Sequence, residues 1–122
     1  MDTRSKIVTT GQAPHGAVLV AGSFNVPGAE QVRQLQQIRI RFPAGALIAA
    51  VLPCEDELLS QHARVELAAA LRVVDYVLIV EPAGRADDLD RLVDRLQPVA
   101  VIRLEEDGLL HLRRLIAHVR NG

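Results

Sequence analysis

The chain has 122 residues, 14 basic against 15 acidic side chains, a formal net charge of −1 and a pI near 6.4, a length that suits one domain. Hydrophobic residues make up 49% of it, which excludes a disordered chain, while near-neutral charge and a 2% aromatic share speak against nucleic acid as a partner. The lone Cys54 has no internal disulfide partner, the N-terminus lacks a secretory apolar core, and no apolar run approaches the roughly 20 residues of a membrane span, so a cytoplasmic protein without membrane contact is expected.

Residues 1–122 read as a single domain that alternates two periods. Ala17–Gly22, Ala46–Leu52, Asp75–Glu81 and Val99–Leu104 are short, nearly continuous apolar runs, the pattern of strands buried on both faces of a parallel sheet. Between them lie helical patterns. Ala29–Arg41 carries Val32, Leu35 and Ile38 on one stripe and is stopped by Pro43. Leu58–Arg72 sets Val65, Ala68, Ala69 and Leu71 on one side, and Asp87–Leu96 sets Leu89, Leu92, Val93 and Leu96 on one stripe. Leu109–Val119 ends the chain with Leu112, Leu115, Ile116 and Val119 on one face.

This alternation predicts an α/β fold: a three-layer, Rossmann-like parallel sheet flanked by four helices, with right-handed crossovers. The first strand is expected in the middle, the second and third on one side and the fourth on the other. The predicted core is Val18, Leu19, Val20, Ile48, Val51, Val77, Leu78, Ile79, Val101 and Ile102. The last helix has more apolar side chains than one sheet face accepts, which points to a homodimer.

Ligands of such folds bind at the carboxyl ends of the strands, where the topology changes direction. The first such loop runs Gly22-Ser23-Phe24-Asn25-Val26-Pro27-Gly28 into a helix, whose N–H groups make a phosphate site. It contains neither a G-x-G-x-x-G fingerprint nor a Walker G-K-[ST]. A plain strand-to-helix turn has the same composition.

The stretch Gly22-Ser23-Phe24-Asn25, followed by Val32, Arg33 and Leu35, resembles the G-x-F-D…H-x-G-H…V opening of the cytidylyltransferase-like nucleotidyltransferases. It is most similar to the glycerol-3-phosphate cytidylyltransferases and to the adenylyltransferase domains of heptose-phosphate enzymes. Lys6-Ile7-Val8, the stretch from Arg64 to Val77 and Leu96-Gln97-Pro98 resemble further stretches of those domains. The resemblance implies a nucleotidyltransferase-like fold that takes a nucleotide or a phosphorylated small molecule, with magnesium accompanying the nucleotide. It places nucleotide or phosphate binding on Gly22, Ser23, Phe24, Asn25, Gly28 and Arg64.

The groups that stabilise charge in that family's transition state are absent from the sequence. Gly28 and Gln31 stand where the two histidines would, Asn25 where the acidic residue would, and Val99 where a later aspartate would. The one lysine, Lys6, lies far upstream, and no serine or threonine follows Ser60, so the late Ser/Thr loop is missing. Glu105-Glu106-Asp107 stands there instead, and carboxylates repel a triphosphate. No catalytic residue is assigned. No metal site is assigned either: His111 and His118 are seven apart, a spacing that matches no zinc signature, while His15 and His62 read as solvated residues. Cys54 reads as an ordinary thiol. For Arg64 the alternative to phosphate binding is a structural pair with Glu66 or Asp75.

Three functions follow. The chain is a degenerate nucleotidyltransferase-like domain that binds without turnover, an active nucleotidyltransferase with non-standard residues, or an interaction module with a vestigial cleft.

Overall fold

A computed structural model describes residues 3–24, 29–53 and 60–104. The first apolar run forms β1 (Val18–Gly22), and the others form β2 (Leu47–Val51), β3 (Tyr76–Ile79) and β4 (Ala100–Arg103). Each observed strand lies inside its predicted run. All pairings are parallel, and the order is β3-β2-β1-β4, with Val18 opposite both Leu47 and Ala100. The expected α/β, Rossmann-like arrangement is therefore present, with β1 inside the sheet.

Three α-helices fill the intervals: α1 (Ala29–Arg41), α2 (Gln61–Ala69) and α3 (Leu89–Leu96). α1 ends two residues before Pro43, where the restriction on residues preceding proline takes hold. α2 starts at Gln61 because the Ser60 side chain caps it, accepting from the Ala63 N–H at 3.2 Å. α3 starts after Asp88, which caps it in the same way, and stops where Gln97 turns left-handed at φ 49° ahead of Pro98. The predicted fourth helix, Leu109–Val119, and with it the surface that suggested a homodimer, lies outside the described residues.

Strand side chains alternate between two cores. Val18, Val20, Leu47, Ala49, Val51 and Val77 pack with Leu35 and Ile38 of α1 and Val65, Ala68 and Ala69 of α2. Leu19, Ala21, Ile48, Ala50 and Leu78 pack with Leu92 and Leu96 of α3 on the opposite face. This is why the strands read as unbroken apolar runs: both faces are covered. Each fully buried aliphatic side chain contributes about 1.5–3 kcal/mol.

One predicted core residue departs. Ile79 is 44% exposed. It is the last residue of an edge strand, paired only with β2, and the N-terminal segment that bridges β3 on its outer side does so at Val77. Ile79 lies beyond that cover.

Candidate functional site

Because β1 connects to β2 through α1 on one face and β3 to β4 through α3 on the other, the crossovers diverge at the carboxyl end of β1. Gly22 is the final residue there, and its carbonyl accepts the Leu52 N–H at 2.8 Å. A Cβ on Gly22 would stand 3.2 Å from the Leu104 Cβ, so glycine lets the end of β4 approach β1 closely.

The chain turns immediately afterwards. Ser23 is half-buried, and Phe24 adopts a left-handed φ of 51° that folds its ring back under the sheet, 2% exposed, into the core shared with α1 and α2. Phe24, expected to face a ligand, is a core residue. Asn25 and Gly28 lie outside the described residues. α1 begins at Ala29 and carries Glu30 in its first turn, where a carboxylate suits the helix dipole.

Arg64 is fully buried, and its Nη1 donates to the carbonyls of Ser23 at 2.8 Å and Leu52 at 2.7 Å. The two carboxylates considered as its partners have contacts of their own. Glu66 lies 3.8 Å from His62, whose side chain is 80% exposed, and Asp75 accepts from Arg39 at 3.1 Å and from the Leu47 N–H at 2.8 Å. One helical turn before Arg64, the Gln61 side-chain amide donates to the carbonyls of Val51 at 3.1 Å and Val80 at 2.9 Å. Residues Gln61 and Arg64, at i and i+3 of α2, thus hold the carboxyl ends of β1, β2 and β3. Gln61 was not singled out in the sequence, where its one signal is a polar residue in the first turn of a helix that covers a parallel sheet.

On the α3 face of the same edge, Leu52, Val80, Glu81, Asp88, Asp90 and Arg103 are among the residues that line a cleft of about 290 Å³. Three carboxylates against one guanidinium make it electronegative. Among the described residues, no group of three His, Cys, Asp or Glu side chains could hold a metal ion. His15 is exposed, while Cys54, His111 and His118 fall outside the described residues. No helix among the described residues is long and apolar enough to cross a membrane.

The Asp88 carboxylate has a displaced titration. The backbone N–H groups of Arg91, first, and Gly84 hydrogen-bond its carboxylate and hold its pKa below the ordinary aspartate value. A depressed folded pKa means that the cap stabilises above the unfolded aspartate value and is lost as pH falls through the folded one. We expect stability to decline below about pH 4. Asp88→Asn, which still caps but does not titrate, should flatten that part of the profile, as measured by urea unfolding across an acid pH series.

Family models give no match to this chain, and neither do curated proteins.

Proposed function

We propose that the chain binds a nucleotide or phosphorylated small molecule weakly at the carboxyl end of β1 and does not catalyse nucleotidyl transfer. The observation that carries this is the strand order β3-β2-β1-β4, which puts Gly22 at the divergence of the crossovers, where open α/β sheets take their ligands. The absence of turnover is supported by the sequence positions occupied by Gly28 and Gln31, and by the place of the only lysine. Lys6 donates its Nζ to the Leu71 carbonyl at 3.1 Å, beside the amino-terminal approach to β3 and away from Gly22. Arg64, expected on a phosphate, commits its Nη1 to the Ser23 and Leu52 carbonyls instead, so binding rests on the backbone of the β1 end. Groups that act only on transition-state charge are missing, so ground-state binding remains without acceleration. Helix-terminus contacts give about 0.3–1 kcal/mol each, so Kd should be on the order of 10⁻⁴ M or weaker. Magnesium would enter on the nucleotide's own phosphates.

Two measurements test this. The purified chain with CTP or ATP, magnesium and a panel of phosphorylated alcohols should release no pyrophosphate above background; robust release would restore the active-transferase reading. Amide shifts on nucleotide titration should cluster at residues 22–30 and around Arg64. The electronegative cleft of Glu81, Asp88 and Asp90 favours a second reading, an interaction module with a cationic partner. That reading takes over if saturating nucleotide moves no amide at the β1 end.

A further inference from the structure

The amino-terminal edge of the sheet has the opposite electrostatic character. Ser5 and Lys6 of the short 3-10 turn at Thr3–Lys6, Arg39 from the last turn of α1, the loop before β2, and Arg72, Val74, Asp75 and Tyr76 before and into β3 border an open cleft of about 700 Å³. Such a volume lies within the range of small-molecule sites, about 300–1,000 Å³.

Its charged lining is Lys6, Arg39 and Arg72 against Asp75 alone. Asp75 is satisfied by Arg39 and by the Leu47 N–H, and Arg39 is further anchored on the Gly45 carbonyl at 2.6 Å. Among the described residues, neither Lys6 nor Arg72 has a carboxylate within ion-pair distance. Lys6 is half-buried with one N–H directed at Leu71, which leaves two donors on its ammonium, and Arg72 is exposed. The carboxyl-terminal ends of α1, α2 and α3 face this edge and together return about one and a half negative charges through their dipoles. The two unmatched cations exceed that. Among the described residues, the lining of this cleft therefore carries a surplus of positive charge where helix dipoles alone would produce the reverse. Pro43, Val74 and Tyr76 supply an apolar wall beside it.

We propose that this amino-edge cleft is a second binding site, for a small phosphate monoester, with Lys6 and Arg72 on the phosphate and the organic part against Pro43 and Tyr76. It uses none of the residues placed at the β1 end, so the two sites succeed or fail separately.

The test is titration of the isotope-labelled full chain with phenyl phosphate at low ionic strength, followed by amide shifts. Saturable shifts are expected at Lys6, Gly45, Ala46 and residues 72–76. Arg72→Gln, a change at an exposed position, should raise Kd about tenfold, as removal of one charge-assisted contact does. Lys6→Met should do the same, with a dispersed spectrum verifying that it folds. Added salt should weaken binding, as for any partly exposed charge pair, and inorganic phosphate, lacking the ring, should bind less tightly. The proposal is overturned by shifts confined to residues 22–30, by no saturable shift, or by an Arg72→Gln protein that binds as well as the parent. Equal affinity for inorganic phosphate and phenyl phosphate would overturn the monoester assignment.

Discussion

Arg64→Ala is expected to lower the free energy of unfolding by about 3–5 kcal/mol, as for loss of other large buried side chains whose partners stay unsatisfied. The guanidinium lies fully out of water, and its Nη1 bridges the carbonyls of Ser23 and Leu52. Truncation leaves both part-buried carbonyls without that donor and opens a cavity between α2 and the sheet. Arg64→Met separates the two contributions, because it keeps most of the volume and removes the donor; about 1–3 kcal/mol should remain as the cost of unsatisfied carbonyls. Urea unfolding of the three proteins measures both values. If the alanine and methionine proteins are as stable as the parent, Arg64 does not hold the strand ends.

Phe24→Ala should cost a similar amount, about 3–5 kcal/mol, the usual range for a phenylalanine emptied from a core. The ring is 2% exposed within the cluster that also holds Leu35, Val65 and Leu104. Alanine retains the Cβ that makes φ 51° unfavourable, so the backbone strain stays while the packing that offsets it disappears. Phe24→Gly loses the same ring but relaxes that conformation, and should be no less stable than the alanine protein in spite of glycine's greater chain entropy. Thermal unfolding orders the three. An alanine protein with unchanged Tm would place the ring at the surface, where a nucleotide base could meet it.

Much of the fold was legible because burial on both faces leaves a plain signature. Runs such as Leu47–Val51 can be unbroken only if side chains pointing up and down both meet helices, and Val65, Ala68, Leu92 and Leu96 recur at the spacing that supplies them. The direction of each crossover followed from handedness. Ile79 was misread since a four-residue strand shows nothing in its own letters about where an edge cover ends. At the candidate site, Gly22 was readable from composition. The roles of Ser23, Phe24 and Arg64 were not, because a side chain bonding a backbone carbonyl 41 residues away, as Arg64 does to Ser23, leaves no periodicity. The Arg39–Asp75 pair escaped for the same reason: its two members lie on the loop-side ends of separate elements and meet only once the sheet is assembled.

The paired anchors on α2 have a mechanical meaning. Gln61 and Arg64 stand one turn apart on a stiff rod, and between them they grip three adjacent strand ends. The rod works as a tie-bar: splaying β1 from β2, or β2 from β3, requires breaking a side-chain bond as well as the ladder. Leu52 N–H to Gly22 and Val80 N–H to Val51 lock the same three ends from the backbone side. This rim of the molecule is therefore cross-braced like a plate. A guest that arrives there meets strand termini already tied to one another, a frame set before binding and not assembled by it.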